Sequence, residues 1–332
     1  GFVSRILLGD VPASHGGNVI FRVAEFRRPE YEVAAQADEG PHVVGGSAEV
    51  SVRASYFAGG ALPGAPVTWN VRSEAASYTP PGWGEWRFGV QDGWGYHGGR
   101  MRMEGLRETL EGVTDTQGRH TVRVHFDRAE PPRTHAVVAE ATVLDVNRQP
   151  WSTTQRLLVH PATVYAGLRT ERGWLRTGEP IDVSVMVVDL DGKPAADRPV
   201  EVVATRLEWR VDAARGWSEV AMDSVRCAVV SGVNPVACTF ATGAEGGRWR
   251  IGATVRDREG RPSLTRMDVW VYGGAPWLRG PGEDADNPQR RVTLVPDRPS
   301  YAPGDTAQVL VQLPFWPARG VVTIRRDGIV RT

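Results

Sequence analysis

One pattern recurs along this chain at a fixed interval, and it limits the possible folds more than any other feature. Gly45, Val50-Ser51-Val52, Gly59 and Pro66-Val67 return as Gly178, Val183-Ser184-Val185, Gly192 and Pro199-Val200, each displaced by 133 residues without a gap. A third copy starts at Gly304, with Val309-Leu310-Val311 in the place of Val183-Ser184-Val185, displaced by 126 residues. Self-similarity of this kind means that one supersecondary plan is used more than once. The third copy runs out at Thr332, so its domain is expected to be incomplete, with strands that pair unusually or stay disordered.

The plan reads as β-structure. Val50, Val52 and Ala54 share one face of a period-two segment while Ser51, Arg53 and Ser55 share the other, the signature of a half-buried antiparallel strand. Gly59-Gly60 and Pro63-Gly64 mark turns, after which Val67-Thr68-Trp69-Asn70-Val71 resumes the alternation. Asp115-Thr116-Gln117-Gly118 leads into His120–Val124, and Gly246-Gly247 leads into Trp249–Ala253. Both segments are expected to precede the closing hairpin of their unit. The first unit then closes through 139–146 and 157–160, the second through 266–272. About seven strands at this spacing, in a chain with 38 Gly and 24 Pro, predict an all-β protein of consecutive antiparallel β-sandwiches. Arg100–Leu110 fits a short helix or a strand equally well.

The stretch Phe21-Arg22-Val23-Ala24-Glu25-Phe26-Arg27-Arg28-Pro29-Glu30-Tyr31-Glu32-Val33 places a charged, proline-stiffened centre between two apolar flanks, which reads as a seam between domains. The expected division is 1–26 as the last strands of a preceding domain, 27–160 and 161–273 as two complete domains, and 274–332 as a linker with the start of another. The segment Gly273–Arg291, rich in Gly, Pro and acidic residues, reads as a solvated connector. The chain opens directly on strand-like residues and is read as an excised piece of a longer protein. Lys+Arg and Asp+Glu both number 39, which disfavours nucleic acid as a partner. No apolar run approaches the ~20 residues of a membrane-spanning helix.

Few residues suggest chemistry. Cys227 and Cys238 flank Ser231–Pro235, read as a turn between two apolar strands that sets the cysteines opposite one another. A disulfide closing this short loop is worth roughly 3 kcal/mol and implies an oxidising compartment; two buried thiols, or a metal site lacking a second pair of ligands, are the alternatives. The seven histidines form no ligand pair and lack a nucleophile to serve, so they read as structural or solvated, with His160 before Pro161 capping the hinge between the two complete units. No catalytic residue, cofactor or metal is assigned. Trp83 and Trp86, with Trp94 and Tyr96 beyond, form the one loop of unusual composition, Tyr78–Gly89 and its extension. Such rings can stack on sugars or grip a partner, or they can cover their own sandwich or a neighbouring domain. The second use is favoured, because nothing in the loop supplies polar groups to select a sugar.

Phe26–Val33 resembles the phrase that opens a macroglobulin-like domain in the bacterial alpha-2-macroglobulins. Tyr56-Phe57 with Gly64–Val67, Thr142–Gln149, Val159-His160-Pro161-Ala162, Asp297–Ala307, Pro314-Phe315 and Arg325–Gly328 are similar in turn. The resemblance implies macroglobulin-like (fibronectin-III-like) sandwiches from the N-terminal half of a broad-spectrum protease inhibitor, periplasmic and often lipid-anchored. Its partners would be target proteases, neighbouring macroglobulin-like domains and, as a companion the family suggests, a peptidoglycan synthase of the penicillin-binding kind. A thioester of that family needs Cys-Gly-Glu-Gln, which neither cysteine here provides, so bait and thioester are expected outside this chain. The rival expectation is a carbohydrate-binding or adhesive module array.

Overall fold

The computed structural model describes residues 30–90, 107–212, 216–273, 292–298, 300–312, 320–321, 323–325 and 329–331. Residues 1–29, Trp94, Tyr96, the 100–106 part of the ambiguous segment and residues 274–291 of the connector lie outside the described residues.

Among the described residues two units of eight strands follow one another. The first contains β1 (Tyr31–Ala37), β2 (His42–Val43), β3 (Ser47–Tyr56), β4 (Pro66–Ala75), β5 (Arg107–Val113), β6 (Arg119–His125), β7 (His135–Leu144) and β8 (Pro150–His160). The second contains β9 (Val164–Arg169), β10 (Trp174–Arg176), β11 (Ile181–Asp189), β12 (Pro199–Asp212), β13 (Gly216–Val230), β14 (Val236–Phe240), β15 (Gly247–Arg256) and β16 (Pro262–Tyr272). Strand order is the same in both: a small sheet β1-β3-β6 or β9-β11-β14, and a large sheet β2-β8-β7-β4-β5 or β10-β16-β15-β12-β13. Each pair of sheets encloses its own core. Val50, Val52, Ala54, Val67, Trp69 and Val71 point inward in the first, and Val183, Val185, Val187, Val200, Val202 and Ala204 point inward in the second. Burying each such side chain contributes about 1.5–3 kcal/mol. Gly45 and Gly178 even share a φ of 85°.

Three expectations need correction. The sandwiches are not wholly antiparallel, because β2 pairs parallel with β8 and β10 parallel with β16. In each unit the chain leaves the small sheet, touches the edge of the large one for two or three residues and returns, too briefly for any alternation to show. Trp249–Ala253 does not precede the closing hairpin: it lies in β15, the hairpin's first strand, whereas His120–Val124 lies in β6 of the small sheet. The cysteines are bonded, but not across one hairpin. Cys227 sits in β13 opposite Val202, Cys238 sits in β14 opposite Val183, and Ser231–Pro235 carries the chain from the large sheet to the small one. The disulfide therefore staples the two sheets together along an open side of the second sandwich.

That crossover is fastened alike in both units. The Ser231 hydroxyl donates to the Ala195 carbonyl (2.6 Å) and accepts from the Arg198 N–H (3.0 Å). Thr114 does the same with Leu62 (2.6 Å) and Ala65 (2.9 Å). Four connections, two of them hairpins and two crossovers between sheets, also share one turn. The carboxylates of Asp115, Asp145, Asp189 and Asp257 each accept from the backbone N–H four residues on, at 2.9, 2.7, 2.8 and 2.9 Å. The third residue on adopts positive φ, as Gly118, Arg148, Gly192 and Gly260. The ambiguous segment continues as β5, a strand.

Of the third copy, β17 (Thr293–Pro296) pairs antiparallel with β18 (Val309–Gln312), and β19 (Ile324–Arg325) with β20 (Ile329–Arg331). The cross-strand pair Leu294 and Val311 takes the place of the buried pair Leu168 and Val185, yet Leu294 is 53% exposed. The Gly173 N–H donates to the Asp297 carbonyl (2.8 Å), which ties this segment to the second sandwich.

Candidate functional site, an aromatic clasp between the sandwiches

The tryptophan-rich loop leaves β4 at Ala75 and lies against the second sandwich. Pro80-Pro81-Gly82 and Gly84 let it turn twice, with Trp83 N–H donating to Pro80 (3.3 Å) and Trp86 N–H to Trp83 (3.0 Å). Arg87 and Leu168 then exchange both backbone hydrogen bonds, at 2.9 and 3.0 Å, so the loop adds to β9, the edge of the small sheet. Two residues later Gly89 accepts from the Arg266 N–H (3.1 Å) and donates to Thr265 Oγ1 (2.9 Å), while that hydroxyl donates to the Ala166 carbonyl (2.5 Å). A stretch of the first unit thus spans from β9 to β16 and covers an otherwise open side of the second sandwich, satisfying edge groups that would need a partner.

Side chains complete the contact. Trp86 and Phe88 are buried with Tyr165, Met186 and Val188, and Tyr78, Trp83 and Leu190 pack around them. Trp83 Nε1 donates to the Gly192 carbonyl (2.8 Å), Tyr78 Oη donates to the Leu190 carbonyl, and Arg169 lies 5.0 Å over the Trp86 ring. Two glycines make room. A Cβ on Gly192, which has a φ of 81°, would lie 2.1 Å from the Pro81 carbonyl oxygen, and one on Gly167 would lie 2.7 Å from Phe88 Cζ.

The covalent link, His160 to Thr163, is held at both ends. His160 is buried; its Nδ1 hydrogen-bonds the Tyr165 hydroxyl (2.8 Å), which also bonds Thr134 Oγ1 (2.6 Å), and the Tyr78 ring stands edge-on 4.7 Å away. Burial, with His42 nearby, pushes the His160 imidazole down to about 4, and burial pushes the Tyr165 hydroxyl up. At the other end Asp257 Oδ2 accepts from the Thr163 N–H (3.1 Å) and from Arg261 Nε (2.7 Å). Burial alone would raise the Asp257 carboxyl, but these hydrogen bonds and the Arg261 charge hold it below the usual range.

Among the expected site residues, Trp83 and Trp86 meet in this junction and His160 stands at its hinge, while Cys227 and Cys238 lie apart from it. The Trp86 ring is buried in this junction and the Trp83 ring is partly buried against it. The receiving surface was missed, although Met186 and Val188 signal it: β11 is apolar on both faces over Val185–Val188, as a strand covered there on both sides must be. At the matching positions of β3 stand Arg53 and Ser55, and among the described residues no loop covers them. Among the described residues no group of three or more His, Cys, Asp or Glu is placed to hold a metal ion.

No family model matches the chain. It is 23% identical over 314 residues to an alpha-2-macroglobulin homolog of Nostoc sp., covering 92% of this chain and 16% of that protein. It is also 26% identical over 197 residues to circularly permutated Ras protein 2 of Dictyostelium discoideum, covering 55% of this chain and 5% of that protein. Among solved structures, E. coli alpha-2-macroglobulin superposes with a TM-score of 0.52 and 15% identity, in its native conformation over 90% of this chain and 19% of that one, and in its trypsin-activated form over 86% and 19%. The chain therefore spans less than a fifth of the relatives that it matches along most of its length. In sequence and in fold it is macroglobulin-like, and bacterial alpha-2-macroglobulins are among the proteins it is similar to.

Proposed function

We propose that the chain is a rigid structural part of a protease trap of the alpha-2-macroglobulin kind, contributing two complete domains at 27–160 and 161–273 and leaving bait and thioester to other parts of the protein. The observation that carries this is the clasp: backbone hydrogen bonds and a shared aromatic cluster join two sandwiches that could otherwise swing about a four-residue link. A frame of this sort gives a trap something stiff to rearrange against. Both cysteines of the chain are joined to each other, so neither is available to form a thioester. The disulfide accords with an oxidising compartment, and we place the protein in the periplasm, held to the inner membrane by a lipid. Target proteases are its partners, and a peptidoglycan synthase of the penicillin-binding kind is a companion to test.

Protease assays separate this function from its rivals. The 332-residue chain alone is expected to leave trypsin fully active on a protein substrate and to form no covalent adduct with it. In the full-length protein, Gly192→Leu is expected to weaken trapping by forcing the clasp apart. Inhibition by the chain alone, or unaltered trapping by the Gly192→Leu protein, would overturn the proposal. Binding of a glycan that is lost in Trp83→Ala would favour the carbohydrate-binding alternative.

A further inference from the structure

Every histidine of the chain precedes residue 161, and three of them gather where the first sandwich meets the second. Parallel pairing of β2 with β8 sets His42 beside Val159, and antiparallel pairing of β7 with β8 sets His135 beside the same residue, next in sequence to His160. His135 and His160 are both buried. His135 Nδ1 is buried without a hydrogen-bond partner, so a second proton on that ring would have nothing to bond.

We propose that His160 makes the junction acid-labile: its protonation releases the clasp while the second sandwich stays folded, whereas His135, paired with the inward Val159, lies on the opposite face of the sheet. The inference does not rest on the protease-trap proposal, since it follows from the junction alone. Around His160 stand the hydroxyls of Tyr165 on β9 and Thr134 just before β7, the Tyr78 ring from the clasp, and His42 on β2. None of these is an acid that would welcome an imidazolium. Asp189 and Asp191, on the turn after β11, act on the far side of Tyr78. His135 faces Arg133, which opposes a second positive charge, and Asp127, which favours it.

The sign follows from the depressed values. A histidine held below its ordinary 6.5 stabilises the closed junction fully above that pH and loses the contribution as pH falls toward the folded value of about 4. For His160 alone this weakens closure about tenfold at pH 5.5 and roughly seventy-fivefold at pH 4.5. Asp257 acts in a separate, lower window. Its carboxyl lies below the ordinary 3.8, so its hold on Thr163 is lost only as pH falls further.

Hydrogen exchange on the 332-residue chain, expressed as protection corrected for the intrinsic pH dependence, tests the proposal. Protection of the Arg87 and Leu168 amides is expected to fall at least tenfold from pH 7.5 to 5, while that of amides between β12 and β15 holds. In His160→Gln, which keeps a polar partner for Tyr165 but takes no proton, the fall is expected to shrink severalfold. Should that variant fail to fold, nuclear magnetic resonance of the unaltered chain decides, with the His160 ring expected to titrate together with the Leu168 amide. Constant protection between pH 7.5 and 5, an unchanged fall in His160→Gln, or a His160 ring titrating independently of Leu168 would each overturn it.

Discussion

The two sandwiches share a strand order and differ in how that order is fastened. By pairing register, Cys227 and Cys238 of the second take the places of Leu110 and Val122 in the first. One unit closes its open side with a covalent bond, the other with an apolar pair. The first core also holds a polar contact, Trp69 Nε1 donating to His120 Nδ1 at 3.0 Å, where the second has only Val202 and Val236. A second difference lies outside the cores: the small sheet of the second unit carries an apolar outer patch at Tyr165, Met186 and Val188 that receives the clasp, whereas the matching positions of the first are polar. The sheet order thus comes from inward residues common to both units, and each unit's place in the array comes from the outward ones.

Removing the staple is the strongest way to break this comparison. Cys227→Ala with Cys238→Ala is expected to destabilise the second sandwich by about 3 kcal/mol, from the entropy of a loop closed over a separation of 11 residues. Exchange protection of β12 should fall while that of β4 does not. The converse experiment sharpens the equivalence. Leu110→Cys with Val122→Cys is expected to form a disulfide in the first sandwich and to add up to about 3 kcal/mol, less if the geometry strains. Two free thiols in the oxidised protein would show that the positions do not correspond. A smaller effect is expected of His120→Val, which gives the first core the residue type of the second and leaves the Trp69 N–H without its acceptor. Urea denaturation should report a loss of about 1–2 kcal/mol. The smallest concerns the shared turn, where Arg148 alone of the four holds positive φ (57°) with a side chain. Arg148→Gly is expected to gain about 0.5 kcal/mol, net of the freedom glycine adds to the unfolded chain.

Much of this was legible before any coordinates. The inward alternation at 50, 52 and 54 and its return at 183 and 185 announced two like sandwiches, because period-two burial is a local property. The route of the cysteine link was not legible. The spacing of 227 and 238 suits a hairpin, but five residues can equally carry a chain between sheets, and only long-range pairing with β11 and β12 decides. The clasp was half legible. Trp83 and Trp86 stood out as rings in need of cover, but the outward pair Met186 and Val188 that receives them was passed over, and nothing local links residues a hundred positions apart. The strands β2 and β10 were too short to leave any periodic trace.

The central claim is that the clasp makes one rigid body of two sandwiches, and a distance distribution tests it most directly. Spin labels placed on the exposed positions Thr121 and Ala228 of the two units, through introduced cysteines, can be read by double electron–electron resonance at neutral pH with the native disulfide intact. A single narrow distance that broadens in Gly192→Leu is the predicted result. A broad or bimodal distribution in the unaltered chain, indistinguishable from that of Gly192→Leu, would contradict it.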